Sequence, residues 1–166
     1  MLGKMRLTGI VLLVLFGAIQ LIQPERTNPS GDPMMKIEAD DELTPKVNAI
    51  LERACVDCHS NQTKWPWYSR IAPISWLMVR HVNEGRKKLN LSEWLQQDDK
   101  VGRRRPSLNQ MEEICDTVEK NQMPLRSYTL LHWNAELTLR DVKAICGWAD
   151  RLAQGSESTI KGKNTN

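Results

Sequence analysis

The spacing of three residues, Cys55, Cys58 and His59, constrains this chain more than any other feature of its sequence. Two thiols three positions apart, followed directly by an imidazole, form the C-x-x-C-H motif that attaches haem covalently. Residues three apart share one face of a helix, so both thiols can form thioethers with the vinyl groups of one ring. The histidine then lies where it can ligate the iron. The motif predicts one covalently attached haem c per chain, held by these three residues.

The other axial position of the iron has to be filled from elsewhere in the chain, unless it stays open. We favour Met123, because it lies before Pro124 in a predicted loop and its thioether can ligate haem iron. A lone methionine is also common as filler of an apolar core. The alternatives share a side chain able to ligate iron, and they are His81, His132, Met78 and Met111.

The N-terminal segment, residues 1–23, has the composition of a membrane anchor. Lys4 and Arg6 precede an uncharged, mostly apolar run over residues 7–22. Basic residues on this flank predict that the N-terminus stays inside and that the rest of the chain is translocated. The run is shorter than the roughly 20 residues of a typical transmembrane helix, and a cleaved signal peptide or a buried core helix is the alternative interpretation. We predict an uncleaved single-pass helix in the inner membrane, with the remaining domain on the periplasmic side.

Composition divides the rest of the chain into three parts. Residues 24–35 are rich in proline, glycine and polar residues, which favours a linker without helix. Residues 155–166 are polar and lack periodic apolar positions, which favours a disordered tail. Residues 36–154 then form one small domain. Because the one phenylalanine is Phe16 in the N-terminal segment, aliphatic residues and six tryptophans must form the core, and we expect folding to depend on a cofactor packed against them.

Apolar residues recur at helical spacing along this domain, and no strand pattern is visible. One helix is predicted over residues 40–54, so that it ends at the cysteine pair, and another over residues 71–82. Ser92, Ser107 and Thr138 precede further apolar runs and are predicted N-caps. The fold class that these patterns predict is all-α, a small helical domain behind an N-terminal transmembrane helix.

Basic residues are concentrated in the middle of the chain. Residues 55–110 carry ten basic and five acidic side chains, whereas the whole chain has a net charge of only +3. The excess includes two clusters, at residues 86–88 and 103–105. Such a surface can simply be solvated, or it can dock an acidic redox partner protein or anionic lipid. The modest net charge and the predicted translocation argue against a nucleic-acid partner.

Two further cysteines, Cys115 and Cys146, lie on separate predicted helices. In an oxidising compartment they suggest a disulfide, which would stabilise the fold by roughly 3 kcal/mol. Two buried free thiols are the alternative. Zinc binding or thiol redox chemistry at Cys55 and Cys58 is disfavoured, because structural zinc sites need a second ligand pair and thiol oxidoreductases carry a βαβ pattern.

The residues around the motif resemble a known family. Cys55 to Ser60 read CVDCHS and are followed by TKWPWYS at residues 63–69, IAPISW at residues 71–76 and HVNEGR at residues 81–86. RTNP upstream and Met123-Pro124, Tyr128 and Leu131-His132 downstream add to the likeness. Roughly residues 20 to 150 resemble the bacterial haem-binding domain family of small membrane-anchored monohaem cytochromes. The resemblance implies a cytochrome-c-like helical fold, covalent haem and a place outside the cytoplasmic membrane.

These observations together predict a membrane-tethered monohaem c-type cytochrome that carries out one-electron transfer in the periplasm. The alternative is a haem-based sensor or ligand-binding module with a labile sixth ligand. The sequence contains no recognisable catalytic dyad or triad and no glycine-rich phosphate loop. We therefore do not expect an enzyme.

Overall fold

The computed structural model describes residues 2–98, 102–104 and 107–163. Its helices are α1 (Leu2–Ile19), α2 (Pro45–Ala54), α3 (Val56–His59), α4 (Ile74–Lys88), α5 (Leu108–Glu119), α6 (Arg126–Thr129) and α7 (Leu139–Lys163). Short 3₁₀ turns lie at Pro33–Met35, Ile37–Ala39, Trp67–Arg70, Leu91–Glu93 and Trp133–Ala135. The predicted all-α class is confirmed. The described residues add one short antiparallel pair that the sequence did not predict, β1 (Gln96–Asp98) with β2 (Gly102–Arg104).

Helix α2 leads directly into the cysteine motif, but it begins at residue 45 rather than at the predicted residue 40. The Thr44 hydroxyl accepts a hydrogen bond from the Val47 N–H at 3.3 Å, and Pro45 occupies the first helical position. A capping hydroxyl followed by proline is a strong start signal, because both relieve the unpaired N–H groups of a first turn. The helix then buries one apolar face and ends at the first cysteine.

The predicted caps of the two long C-terminal helices are confirmed. Ser107 and Gln110 form a capping box at the start of α5. At the start of α7, the Asp141 carboxylate accepts hydrogen bonds from the Thr138 N–H and hydroxyl, both at 2.8 Å. The predicted helix after Ser92 is instead the short 3₁₀ turn Leu91–Glu93. The capping residues therefore predicted correctly where the two long C-terminal helices begin.

The core lies between α2, α5, α7 and the turn Leu91–Glu93. Trp94 and Trp148 stack there with their ring centroids 5.3 Å apart. The Trp94 Nε1–H donates to the Asp40 carboxylate at 2.8 Å, which gives that buried charge a partner. The predicted disulfide between Cys115 and Cys146 is present and joins α5 to α7.

The predicted linker, residues 24–35, lies against the domain instead of hanging free. Arg86 donates from Nη1 to the Thr27 carbonyl at 2.9 Å and from Nη2 to the Asn28 side chain at 3.1 Å. The Asn28 amide donates to the Thr63 carbonyl at 2.9 Å. Proline and glycine kept this segment free of helix, as predicted, but its polar groups find partners on the domain surface.

Two predictions about the ends of the chain differ from the structure. No helix among the described residues combines the length and apolarity needed to cross a membrane, so the predicted transmembrane helix is not supported. At the other end, α7 continues to Lys163, through most of the predicted disordered tail over residues 155–166. A helix that has already formed gains one backbone hydrogen bond with each added residue, so it can extend without periodic apolar positions. Residues 164–166 lie outside the described part.

Candidate functional site

The backbone turns sharply at the cysteine motif, where α2 ends and α3 begins. The Cys55 N–H donates to the Leu51 carbonyl as the last bond of α2. The Cys55 carbonyl then accepts from the N–H groups of Cys58 at 3.1 Å and His59 at 2.8 Å. One helical turn thus carries both cysteines, and both thiols are free. Their arrangement allows both sulfurs to reach one flat ligand.

Two neighbouring cavities meet at this motif. The first, of about 210 Å³, is lined by Cys55, and the second, of about 350 Å³, is lined by Cys58. His59 and Met123 line both cavities. Cavities of a few hundred Å³ are typical of cofactor sites. The fold therefore brings together the four residues that the sequence predicted from two distant segments.

The Leu89 carbonyl orients the ring of His59. Its Nδ1 lies 3.1 Å from the Leu89 carbonyl oxygen. Since a carbonyl only accepts, Nδ1 must carry the proton, which leaves Nε2 with a free lone pair for a metal. Burial lowers the pKa of His59, so the ring is in the neutral form that a metal ligand requires.

Helix α4 packs directly against the motif at Gly85. A Cβ at that position would stand 2.5 Å from the Cys58 carbonyl oxygen, closer than real Cβ contacts allow. The next residue, Arg86, donates from Nε to the Ser60 carbonyl at 2.7 Å and from Nη2 to the Thr63 hydroxyl at 2.9 Å. Sequence reasoning missed both roles. An isolated glycine inside a helical pattern was the available signal for close backbone packing.

The second residue between the cysteines, Asp57, ties the motif to α6. The Tyr128 hydroxyl donates to Asp57 Oδ2 at 2.7 Å, and the Lys64 N–H donates to Oδ1 at 3.1 Å. Burial of the phenol, together with its bond to this carboxylate, raises the pKa of Tyr128. Tyr128 therefore stays protonated and keeps donating, and it forms part of the wall of the second cavity.

His132 lines the second cavity, but both of its ring nitrogens already have partners. Nδ1 lies 3.1 Å from the Tyr128 carbonyl, and Nε2 lies 3.3 Å from the Tyr68 hydroxyl. The His132 ring also stacks on Tyr128, with centroids 4.1 Å apart. Ligation of a metal by His132 would require it to give up one of these hydrogen bonds, which disfavours it as an axial ligand.

The other predicted alternatives to Met123 differ in position. Met111 is 2% exposed, belongs to the main core and lines neither cavity. Met78 and His81 line the second cavity only. Among these candidates in the described part of the chain, Met123 is the one that shares both cavities with His59. Its location favours it as the second axial ligand.

The two free thiols belong to half-buried residues and have the properties of protonated groups. Burial raises the pKa of Cys55 to about 12 and that of Cys58 to about 11. Reactive thiols and metal-binding thiolates instead have lowered pKa values. Within the described residues, the one close group of three metal-ligating side chains is Cys115, Glu119 and Cys146, and its two sulfurs are joined in the disulfide. Zinc binding and thiol redox chemistry therefore gain no support.

The predicted basic docking clusters are only partly available. Arg86 directs its guanidinium to backbone carbonyls and polar side chains, so it holds the fold together. Lys87 and Lys88 are exposed, and Lys88 borders both cavities. In the second cluster, Arg105 lies outside the described residues, as do the side chains of Arg103 and Arg104. Two of the three side chains of the first cluster are therefore exposed, and docking at either cluster stays a prediction.

Comparison with known proteins adds one match. The sequence model of the family described as haem-binding domain matches residues 14–151, which is well over half of the chain. The matched stretch includes the cysteine motif, α4, Met123 and most of the residues that line both cavities. No curated protein and no solved structure matches the chain.

Proposed function

The chain belongs to the haem-binding domain family and binds haem, and from this premise we propose that it is a monohaem c-type cytochrome that transfers one electron at a time. The observation that carries the proposal is that His59 and Met123 line two adjoining cavities whose other walls hold Cys55 and Cys58. Two thiols and an adjacent imidazole form the motif that attaches haem covalently, and histidine with a thioether is the axial ligand pair of cytochromes c.

The residues of the site fit a flat, largely apolar ring. Aliphatic side chains from three helices line the first cavity, and these are Leu51, Ala54, Ile114, Val118 and Ile145. We propose that Cys55 and Cys58 hold the ring through thioethers. Each thioether would form by net addition of one S–H across one vinyl group, so that no leaving group is needed. Gly85 and Arg86 hold the backbone of the motif in place for this attachment.

His59 Nε2 and the Met123 sulfur are the proposed axial ligands. The Leu89 carbonyl holds the imidazole in the required tautomer and orientation. When bound, haem iron supplies a one-electron redox couple, and a thioether opposite a histidine raises its reduction potential. The aliphatic wall of the first cavity and the absence of a recognisable catalytic dyad or triad from the sequence suit electron transfer better than chemistry on a bound substrate. We therefore propose no enzymatic activity.

Absorption spectra of the haem-loaded protein test the proposed ligands. We expect sharp low-spin bands in the reduced wild type, and we expect Met123→Ala to lose them because the iron loses one axial ligand. Met78→Ala is the matched control, since Met78 lines only the second cavity, and it should keep the wild-type bands. Low-spin bands that survive in Met123→Ala but disappear in His81→Ala would contradict the assignment.

A haem-based sensor or ligand-binding module is the second candidate function. The second cavity supports it, because its volume of about 350 Å³ and its polar residues Tyr68, His81 and Ser127 leave room for a small ligand near His59. Carbon monoxide distinguishes the two functions. Rapid binding by the reduced wild type indicates a labile sixth ligand and a sensor, whereas absence of binding supports electron transfer.

We propose that α1 attaches the protein to the inner membrane and that the haem domain lies on the periplasmic side. Between Met5 and Phe16, the large apolar side chains of α1 are between 48% and 72% exposed, and burying such surface in lipid is favourable. Membrane fractionation of the wild type, compared with a variant carrying Leu12→Lys and Leu15→Lys, tests the attachment. Recovery of the wild type in the soluble fraction would contradict it.

An acidic redox partner protein is proposed to dock near the exposed Lys87 and Lys88.

A further inference from the structure

The chain is fastened to the domain immediately after α1. The Gln20 side chain bonds the backbone of Ala72 twice, accepting from its N–H at 2.9 Å and donating to its carbonyl at 3.1 Å. Two residues later, the Ile22 carbonyl accepts a hydrogen bond of 2.6 Å from Trp76 Nε1. Because these bonds are short, the end of α1 and the first turn of α4 must lie side by side.

Apolar side chains are exposed on both sides of this fastening. We call them the junction face, and its members are Leu21, Ile22, Ile74, Trp76 and Leu77. Their exposed fractions are 87%, 67%, 44%, 37% and 49%. Contiguous exposed apolar residues on a protein surface usually mark a binding surface. The junction face continues the exposed apolar surface of α1 onto the haem-binding domain.

We propose that the junction face rests on the surface of a lipid bilayer. The proposal builds on the proposed attachment of α1 to a membrane. If α1 enters lipid, the Gln20 and Trp76 hydrogen bonds place the junction face at the depth where the chain leaves the lipid. Trp76 has the side chain suited to this depth, since an indole combines a large apolar ring with one N–H donor.

The charges beside the junction face are compatible with lipid headgroups. Arg70 is exposed in the neighbouring turn, which packs against α4. Arg80 forms an exposed ion pair with Glu84, and Glu25 is a nearby exposed acid. Arg26, which is half-buried, donates to the Ser69 carbonyl in the same turn at 3.2 Å. Three arginines and two glutamates leave an excess of only one positive charge, so the apolar residues provide most of the binding free energy. A docked acidic protein would instead need an excess of unpaired basic side chains around the face.

The position of this face has a consequence for the haem site. Ile74 and Leu77 belong to the junction face and also line the second cavity. The rim of that cavity therefore lies at the bilayer surface when the junction face is seated. The haem domain would then have a fixed orientation on the membrane, rather than a free rotation about a flexible tether.

Single cysteines introduced into the full-length, haem-loaded protein test the proposal. The four native cysteines are held in thioethers and in the disulfide, so a thiol-reactive, environment-sensitive fluorophore marks only the new one. Three exposed leucines are chosen: Leu77→Cys in the junction face, Leu13→Cys in α1 and Leu139→Cys, beside Asp141 on α7, as the control. Each labelled protein is mixed with vesicles of phosphatidylcholine and phosphatidylglycerol that contain a nitroxide-labelled lipid as quencher.

We expect the labels at Leu13 and Leu77 to shift to shorter wavelength and to be quenched several-fold more than the label at Leu139. Quenching at Leu13 but not at Leu77 would overturn the proposal while leaving the membrane attachment intact. Absence of quenching at both positions would overturn both. Emission at short wavelength from the Leu77 label before vesicles are added would show that the label is already covered, by its own cavity or by another protein molecule, and would also contradict the proposal.

Discussion

At the scale of single residues, the site depends on groups that hold the cysteine motif in place. Gly85 lets α4 lie directly against the Cys58 carbonyl, and the Leu89 carbonyl orients His59. The cysteine motif and Met123 could be predicted from the sequence, because their predicted roles depend on side-chain type and local spacing. The role of the Leu89 carbonyl could not be predicted, because every residue carries a backbone carbonyl and only the fold determines which one contacts His59.

Gly85→Ala should destabilise the protein although alanine is the better helix former. In an exposed helix interior this change is favourable by about 1 kcal/mol. Here the new Cβ would stand 2.5 Å from the Cys58 carbonyl, so we expect a loss of about 1–3 kcal/mol, as for other overpacked sites. The measurement is the free energy of unfolding in denaturant. Gly147→Ala on α7 is the control, because its nearest contact is the flexible end of Arg151 at 3.8 Å. Equal effects of both substitutions would contradict the close packing at Gly85.

At the scale of helices and turns, the fold is organised by caps and by the contacts that cross between elements. Arg53 at the end of α2 donates to the Asn134 and Glu136 carbonyls and forms an ion pair of 2.7 Å with Asp141 at the start of α7. Asp141 thus caps one helix and joins it to another. Because Asp141 has both roles, we expect the removal of its carboxylate to lower the stability of the fold.

Asp141→Asn should lower stability at neutral pH by about 1–2 kcal/mol, the usual effect of losing a cap and its charge. Burial by itself would raise the pKa of Asp141, but hydrogen bonds from Thr138 and the ion pair with Arg53 outweigh it and lower the pKa below 3.8. The wild-type advantage is therefore complete above this value and disappears as the pH falls through the lower pKa of the folded state. Unfolding measured across that range, with the exposed Asp150→Asn as control, checks the prediction. A difference that does not depend on pH would contradict it.

The elements that the sequence predicted well are those specified by neighbouring residues. Ser107 with Gln110 and Thr138 with Asp141 act within one turn, so the starts of α5 and α7 were predicted correctly. The docking of residues 24–35 was missed, because it depends on Arg86, a residue more than fifty positions away. The course of a polar segment is set by partners elsewhere in the fold, and composition alone does not identify them.

At the scale of the whole molecule, two cavities lie beside the cysteine motif and the Met123 loop. The first borders α5 and the second borders α4. The first borders main-core residues, including Leu51 and Trp148. A bound ring would therefore pack against residues of the main core. The single phenylalanine of the sequence already predicted that a cofactor contributes to the core. The positions of the cavities could not be predicted, because they depend on how the helices pack.

The protein produced without haem should unfold at a lower temperature than the haem-loaded protein. A bound ring would bury the apolar side chains that line the smaller cavity, among them Leu51, Ile114 and Ile145, and burial of apolar surface stabilises the folded state. Thermal unfolding followed by circular dichroism measures the difference. Reduction of the disulfide has to be avoided in both samples, so that only the haem content differs. Equal unfolding temperatures would show that the cavities are not filled by the cofactor.

The central claim is that Cys55 and Cys58 attach one haem covalently. It is tested most directly by the mass of the denatured protein, purified from a host that can attach haem. We predict the mass of the polypeptide plus one haem for the wild type and for a variant with Cys115→Ser and Cys146→Ser. We predict the mass of the polypeptide alone for a variant with Cys55→Ala and Cys58→Ala. A wild-type protein with the mass of the bare polypeptide would contradict the account.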